Sequence, residues 1–231
     1  MNGEKDEEER RKERQGGDEI EKIRVMERDR EIIREIDRWR VIQGKHIKEL
    51  VGFEGQRACD RRLRKLIDMG YITREKILYG VAGIYRNTNK AQKIMPEKIT
   101  SVNKKIRIEQ IMHDIAVVES AIYFNKKHEI KYSEITTEIE LHSKDGFGVR
   151  KHRPDYIFEK DGKTTCVEIE LNLKAKNRFE NNIKNNFENY DKQIWIVTSL
   201  ENKIAKILKE HKESYPDIEI LELNQIQESI K

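Results

Sequence analysis

The sequence predicts an α+β protein with a helical N-terminal third that ends in a β-hairpin, followed by a larger part built on a mixed sheet. The first observation is three segments with apolar residues at helical spacing, followed directly by two short strand-like runs. The second is that strand-like and helical runs alternate after residue 105, which implies parallel crossovers. The third is Asp161-Gly162 between two apolar runs, the pattern of a tight antiparallel hairpin. Both kinds of pairing in one sheet make it mixed.

The charge pattern divides the chain. Residues 1–18 are almost wholly charged and are expected to be a disordered tail. The first folded domain is predicted over residues 19–92, and a polar linker that contains Pro96 and buries little is predicted over 93–105. The second domain is predicted over residues 106–231.

Composition favours a soluble cytoplasmic protein without a membrane partner. Charged residues make up 39% of the chain, and no stretch reaches the roughly 18 apolar residues of a membrane span. No signal peptide is apparent. Cys59 and Cys166 are far apart and have no partner at metal-ligand spacing, which favours a reducing compartment.

The N-terminal elements follow one another in a recognisable order. Helices are expected over 19–39 and 45–51, and a third helix buries Cys59, Leu63 and Leu66 before Gly70 stops it. A hairpin of Tyr71–Leu78 and Ile84–Arg86 comes next. This order is typical of a winged helix-turn-helix domain, in which the third helix enters the major groove of DNA.

Basic residues concentrate in this domain. Residues 19–100 carry 20 Lys and Arg against 13 Asp and Glu, an excess of +7. Double-stranded DNA is therefore the expected partner. The alternative is a solvated helix face beside a hairpin that packs on a protein. The candidate DNA-binding residues are Gln56, Arg57, Arg61 and Arg64 of the third helix and Arg74, Lys76 and Arg86 of the hairpin.

The second domain is expected to contain one long helix, three strands and then alternating helices and strands. The long helix begins near Ile106, strand character covers Glu129–Leu141, and the hairpin around Lys160–Lys163 follows. A helix at Lys174–Tyr190, a strand at Gln193–Ser199, a helix at Leu200–Tyr215 and a strand at Ile218–Leu223 complete the order. This is the order of an α/β restriction-endonuclease-like domain with a mixed sheet.

Carboxylates concentrate on the central hairpin. Asp155 precedes its first strand, and Glu168 and Glu170 alternate with apolar residues on its second. Such a cluster with a nearby lysine suits phosphodiester hydrolysis, because Mg²⁺ or Mn²⁺ prefers oxygen ligands and activates water. The alternative is an acidic, solvated strand face.

The hairpin resembles the site of the PD-(D/E)xK nuclease superfamily. The superfamily pattern has Lys where this chain has Glu170, but Lys174 follows on the next helix and could replace it. The resemblance makes Asp155, Glu168, Glu170 and Lys174 the candidate catalytic residues. Asp155 and Glu168 are the candidate ligands of a Mg²⁺ or Mn²⁺ cofactor, with Glu119 of the long helix as a further candidate.

The ordering from about residue 28 onward resembles the replication-relaxation family of plasmid and conjugative elements. The matching segments are Lys45–Ile72, His113–Val117, Arg153–Asp155, and Val167–Glu170 followed by Lys174 and Arg178. The resemblance implies a role in plasmid replication or mobilisation, with origin or transfer-region DNA and a relaxase or replication protein as partners. Three hypotheses stay open: a non-catalytic DNA-binding accessory protein, a metal-dependent endonuclease, and a transcriptional repressor whose C-terminal domain forms a homodimer or senses a ligand.

Overall fold

The computed structural model describes residues 25–102, 106–146, 148–173 and 175–231. The expected tail at 1–18 and the start of the first expected helix lie outside these ranges. The N-terminal part has three helices and three strands, in the order α1 (Glu27–Trp39), β1 (Ile42–Gln43), α2 (Gly44–Leu50), α3 (Gln56–Asp68), β2 (Ile72–Glu75) and β3 (Ile84–Asn87). The strands form an antiparallel sheet in the order β1-β3-β2.

The helices of this part form because their apolar residues recur on one side. In α1 the buried side chains include Ile32, Ile33 and Ile36, and α3 buries Cys59, Leu63 and Leu66 as expected. Gly70, at φ 72°, ends α3: its N–H donates to Ile67 O, and the next N–H donates to Leu66 O. None of the helices in the described ranges is long and apolar enough to cross a membrane.

The C-terminal part is built on a five-stranded sheet. Its elements are α4 (Ile111–His128), β4 (Ile135–Thr137), α5 (Glu138–Asp145), β5 (Tyr156–Lys160), β6 (Lys163–Glu170), α6 (Lys176–Asn189), β7 (Lys192–Val197), α7 (Lys203–His211), β8 (Ile218–Glu222) and α8 (Leu223–Ser229). The strand order is β4-β5-β6-β7-β8. The pairs β4–β5 and β5–β6 are antiparallel, whereas β6–β7 and β7–β8 are parallel. The expected α+β class and mixed sheet are confirmed.

The central hairpin turns where the sequence predicts. Lys160 pairs with Lys163, and the two residues between them, Asp161 and Gly162, have φ values of 52° and 71°. Two consecutive positive φ angles match the twist of the flanking strands, which is why Asp-Gly is favoured in such turns.

Both faces of the five-stranded sheet are covered. Val167, Ile169 and Ile194 lie in an apolar cluster with α4 residues such as Val118 and Ile122. On the other face, Trp195 and Val197 pack with α6 and α7, which contribute Phe179 and Leu208 among others. The two faces alternate along β6 and β7, as strand geometry requires.

The prediction of a strand over Glu129–Leu141 is wrong for most of that segment. Only Ile135–Thr137 form a strand, and α5 begins immediately afterwards. Thr137 is the reason: its hydroxyl accepts from the N–H of Glu140, and the Glu140 carboxylate accepts from the N–H of Thr137 at 2.7 Å. This reciprocal capping box starts a helix where apolar alternation suggested a strand. The short helix α8 was also not predicted.

The prediction that residues 93–105 bury little is also wrong for part of that segment. Met95 and Ile99 are buried in the same apolar cluster as α1. The N–H groups of Thr100 and Ser101 donate to the carboxylate of Asp37 on α1. Residues 95–101 therefore pack back on the N-terminal part, while 103–105 lie outside the described ranges.

The N-terminal and C-terminal parts share buried contacts. The rings of Trp39 and Tyr156 meet edge to face with centroids 6.4 Å apart. Arg40 pairs with Glu138 at 2.9 Å, and one apolar cluster includes residues of both parts. The predicted domain boundaries stay a prediction, but the contact between the parts is apolar and continuous.

A buried ion pair joins α1 to α3. Asp29 is fully buried and accepts hydrogen bonds from the guanidinium of Arg62 and from the N–H of Met26. Two charges out of water are stable only when each satisfies the other. The guanidinium of Arg62 is therefore held by Asp29, although Arg61 and Arg64 on the same helix are exposed.

The first prediction concerns this pair. Asp29→Asn should lower the free energy of unfolding by about 3 kcal/mol, because the Arg62 charge loses its buried counter-ion. Urea denaturation measures the change. The matched control is Asp68→Asn, which removes an exposed carboxylate of α3 and should cost about 0.5 kcal/mol or less. Equal costs for the two variants would contradict a structural role for the pair.

Candidate functional site

One face of α3 is basic and exposed. Arg57, Arg61 and Arg64 occur at i, i+4 and i+7, so they lie on the same side of the helix, away from its buried residues. All three are exposed, and within the described ranges none makes a hydrogen bond or ion pair to another side chain. Asp60 is exposed on the same face and lines a cleft with Arg64, but in the described part of the chain it forms no ion pair with these arginines, so their guanidinium groups are accessible to a partner.

The hairpin adds a further cation to this face. A cleft of about 330 Å³ lies between α3 and the hairpin, lined among others by Gln56, Arg64, Arg74 and Tyr85. The guanidinium of Arg74 sits over the ring of Tyr85, 5.9 Å from its centroid. Gly83 leaves room for it, since a Cβ there would lie 2.8 Å from Arg74 Nε.

The remaining hairpin candidates lie elsewhere. Arg86 neighbours Tyr85 along β3 and therefore points to the opposite face of the small sheet. There it lies 3.5 Å from Glu75 and lines a different cleft with Arg40. Lys76 is exposed at the start of the loop that joins β2 to β3. The structure thus brings Gln56, Arg64 and Arg74 together and separates Arg86 from them.

Glu119, a candidate metal ligand from the sequence, is buried and links α4 to two other helices. Its carboxylate accepts from Lys45 Nζ of α2 at 2.5 Å and from Gln227 Nε2 of α8 at 2.7 Å, and His46 Nε2 lies 3.7 Å away. Burial alone would raise the pKa of Glu119, but the nearby His46 ring and the hydrogen bonds from Lys45 and Gln227 lower it to about 2. Glu119 therefore stays ionised and joins three helices.

Asp155 is held on the α4 side of the sheet. Its Oδ2 accepts from the N–H of Ile169 at 2.7 Å, and His113 Nε2 lies 3.4 Å from the same oxygen. The other ring nitrogen of His113 contacts Asp114 at 3.3 Å. Burial alone would lower the pKa of His113, but the carboxylates of Asp155 and Asp114 raise it to about 11. The imidazolium of His113 therefore supplies the positive charge beside Asp155.

Glu168 and Glu170 are buried on the α6 side. Glu168 Oε1 lies 2.6 Å from His152 Nε2 and accepts from Asn186 Nδ2 of α6 at 3.1 Å. His152 Nε2 also lies 3.1 Å from Asn186 Oδ1, so a hydrogen on Nε2 is shared between the two oxygens. Glu170 is 3% exposed. The alternative of an acidic, solvated strand face is therefore wrong, because both glutamates are buried.

The expected Mg²⁺ or Mn²⁺ site stays a prediction, and the described contacts engage its two expected ligands separately. Asp155 contacts His113 on α4, whereas Glu168 contacts His152 and Asn186, so the two carboxylates are engaged on opposite sides of the sheet. Across the described residues, no three His, Cys, Asp or Glu side chains are grouped so that they could hold a metal ion. Lys174 lies outside the described residues, and the catalytic roles stay predictions.

Sequence reasoning missed His113, His152 and Lys45 as site residues. His152 stands three residues before Asp155, and Pro154 favours an extended backbone at Arg153 between them. His113 precedes Asp114, an acidic neighbour that would have been a signal for a charged imidazole. Nothing in the sequence marked the pairing of Lys45 with Glu119, which are 74 residues apart.

No protein-family model matches the chain, and no curated protein is significantly similar to it. The resemblance to the replication-relaxation family therefore stays a prediction that depends on the short segments quoted above.

The second prediction concerns His113. Its folded-state pKa lies above the unfolded value of about 6.5, so its stabilising effect is complete below that pH and is lost as the pH rises toward 11. His113→Gln should therefore lower the free energy of unfolding by about 1–3 kcal/mol at pH 6, and by less at pH 10. Chemical denaturation of both proteins at the two pH values measures this.

The control is His142→Gln, since His142 is an exposed histidine 3.7 Å from Glu138 and exposed pairs contribute little. A cost for His113→Gln that does not depend on pH would show that His113 packs as a neutral ring. NMR of the His113 ring provides an independent check, because the imidazolium should persist at pH 8.

Proposed function

We propose that this chain binds double-stranded DNA through α3 and the hairpin, as a winged helix-turn-helix protein that acts as an accessory factor in the replication or mobilisation of a mobile element. The observation that carries the proposal is the exposed row of Arg57, Arg61 and Arg64, which has no internal counter-ion in the described ranges. Arg74 extends this basic surface onto the hairpin.

The geometry of α3 supports insertion into a major groove. A major groove about 12 Å wide admits one α-helix, and α3 is a helix of 13 residues with a polar, exposed outer face. Gln56 and Arg57 at its N-terminus would meet base edges, as the first residues of a recognition helix do, once Gln56 releases the hydrogen bond that it donates to Asp60. Arg61 and Arg64 are further along the same face and would contact phosphates or guanine.

The distribution of ion pairs supports the same surface. Arg38, Arg40 and Lys45 are paired with Glu140, Glu138 and Glu119 of the C-terminal part. These cations hold the two parts together and are less available to a polyanion. The arginines of the outer face of α3 differ from them in having no such partner, and this is the pattern expected of a phosphate-binding face.

The C-terminal part, proposed as a restriction-endonuclease-like domain, is assigned a non-catalytic role. His113 contacts Asp155, His152 and Asn186 contact Glu168, and Glu170 stands where the nuclease superfamily has Lys. The Mg²⁺-dependent endonuclease stays a prediction that no described contact favours. A repressor would use the same DNA-binding face, and binding upstream of its own reading frame would distinguish it.

The third prediction concerns the basic face. Replacing Arg57, Arg61 and Arg64 together by Ala should weaken duplex binding and reduce the slope of log affinity against log salt by up to about 2.7, because each lost phosphate contact removes about 0.9. Fluorescence anisotropy at several salt concentrations measures both. The folded state is checked by thermal melting, since these exposed side chains contribute little to stability.

The control removes the same number of charges elsewhere. Lys203, Lys206 and Lys212 are exposed on and just after α7, which packs on the far side of the five-stranded sheet. Their replacement by Ala should leave the salt slope close to that of the wild type. Equal slopes in the two triple variants would mean that net charge, rather than α3, drives the binding.

The fourth prediction concerns cleavage. Supercoiled plasmid incubated with the protein and millimolar Mg²⁺ or Mn²⁺ should stay supercoiled, because Asp155 and Glu168 are engaged by different histidines. Nicking that requires the metal and disappears in Asp155→Asn would instead support the endonuclease hypothesis. DNA binding and nicking are measured separately, so one can fail without the other.

A further inference from the structure

A cavity of about 410 Å³ lies where α2 meets α4 and α8. His46 of α2, Glu119 and Ile122 of α4, and Gln227 of α8 line it, together with Ile230 just after α8. Cavities of this size hold small ligands, and they combine apolar surface with a few polar groups that fix the orientation of the ligand. Here the two isoleucines supply apolar surface, and the other three side chains supply the polar groups.

The ring of His46 brings a buried hydrogen-bond donor to this cavity. His46 is 1% exposed, and its Nδ1 accepts from the N–H of Gln43 at 3.3 Å. Burial lowers the pKa of the His46 ring below its ordinary value, so the ring is neutral and carries its hydrogen on Nε2. Among the described residues Nε2 has no hydrogen-bond partner, since Glu119 Oε1 is 3.7 Å away. A buried N–H without an acceptor costs free energy, so an acceptor atom of a ligand would be favoured beside it.

Two lysines stand beside this donor. Lys45 Nζ lies 2.5 Å from Glu119 Oε1, the oxygen nearest to His46 Nε2, and the Lys45 side chain is 57% exposed and free to move aside. Lys48 also lines the cavity and pairs with Glu49 at 2.7 Å, and Glu49 pairs in addition with Lys126 at 2.9 Å. Both carboxylates at the cavity are thus engaged by cations. An ammonium group donates three hydrogen bonds, so both lysines can hold a further anion.

The cavity shares two side chains with the cleft of the proposed DNA-binding face. Lys45 and Gln56 line both the cavity and the cleft between α3 and the hairpin. Gln56 is the first residue of α3, and its Nε2 donates to Asp60 at 2.8 Å. A ligand that contacts Lys45 or Gln56 therefore changes the charge and the hydrogen bonds of the surface proposed to meet a duplex.

We infer that this cavity binds a small organic anion whose carboxylate accepts hydrogen bonds from His46 Nε2 and Lys45 Nζ and whose apolar body packs on Ile122 and Ile230. Occupancy of the cavity weakens the binding of duplex DNA, because the anion engages Lys45 and adds negative charge beside Gln56, where phosphates approach. This second part rests on the proposed DNA binding. The first part does not depend on it.

Three probes separate the features that the site requires. Sodium benzoate has a carboxylate and an apolar ring, benzyl alcohol keeps the ring without the charge, and inorganic phosphate keeps the charge without the ring. Calorimetry on the full chain at constant ionic strength should show that benzoate binds about tenfold more tightly than either, because one charge-assisted hydrogen bond or a buried ring is worth at least that factor. NMR should show that benzoate shifts the resonance of the His46 Nε2 hydrogen.

Two variants test the position of the benzoate. His46→Phe keeps an aromatic ring and removes the N–H, whereas Ile230→Trp fills the cavity and leaves His46 unchanged. Each should weaken benzoate binding by about tenfold. The control is His142→Phe, which replaces an exposed histidine of α5 and should bind benzoate as the wild type does. Thermal melting checks that the variants fold, and Ile230→Trp tests the site even if loss of the Nδ1 acceptor unfolds His46→Phe.

The effect on DNA is measured separately. Saturating benzoate should weaken duplex binding by the wild type about fivefold, a typical coupling between two sites, relative to chloride at the same ionic strength. Ile230→Trp should bind the duplex as the wild type does without benzoate, and benzoate should leave its affinity unchanged.

The outcomes distinguish the site, its coupling and the proposed function. Equal benzoate binding by the wild type and Ile230→Trp, or an unshifted His46 resonance, would overturn the inference, as would benzyl alcohol or phosphate that binds as tightly as benzoate. Benzoate that binds in the cavity without changing duplex affinity would refute the coupling alone. If the chain binds benzoate but no duplex, the proposed function fails while the anion site stands.

Discussion

The burial of α4 is the constraint on which the rest of the structure depends. This helix of 18 residues buries side chains on most of its circumference, including Ile115, Val118 and Ile122. It packs against β1 and α2 on the N-terminal side and against β6 and α8 on the C-terminal side. A helix that is apolar nearly all round has to be enclosed. The N-terminal and C-terminal parts meet around α4 because each covers a side that the other leaves open.

Because α4 is enclosed, its polar side chains need hydrogen-bond or ion-pair partners inside the protein. Asp114, Glu119 and Ser120 are buried on it, and buried polar groups cost free energy unless they are hydrogen-bonded. Ser120 contacts the hydroxyl of Tyr156 at 2.9 Å, Glu119 accepts from Lys45 and Gln227, and Asp114 pairs with His113. The imidazolium of His113 then reaches Asp155, so a candidate catalytic carboxylate is neutralised as a consequence of how this helix is buried.

The sequence predicted most of the features that local chemistry determines, and its remaining errors arise where a partner distant in the sequence decides the structure. Gly70 and Asp161-Gly162 require positive φ, so the end of α3 and the central turn were predictable. Thr137 with Glu140 is an equally local signal, and overlooking it produced the false strand. Alternation placed Glu168 and Glu170 correctly on one face of β6. The alternation could not predict the orientation of Asp155, because Asp155 precedes β5. Its carboxylate accepts a hydrogen bond from the N–H of Ile169. Two of the three carboxylates inferred as a cluster, Asp155 and Glu168, therefore contact different histidines.

The position of each cation around its helix explains why the net charge of residues 19–100 does not by itself define a basic surface. The excess of +7 in residues 19–100 includes Arg38, Arg40, Lys45 and Arg62, and each of these is paired with a carboxylate. Arg61 and Arg62 are adjacent in the chain, yet a step of 100° around α3 leaves one in solvent and turns the other to buried Asp29. The basic surface is consequently smaller than the charge count suggests and is ordered along one helix. A partner of this surface has to match a row of guanidinium groups with a helical spacing.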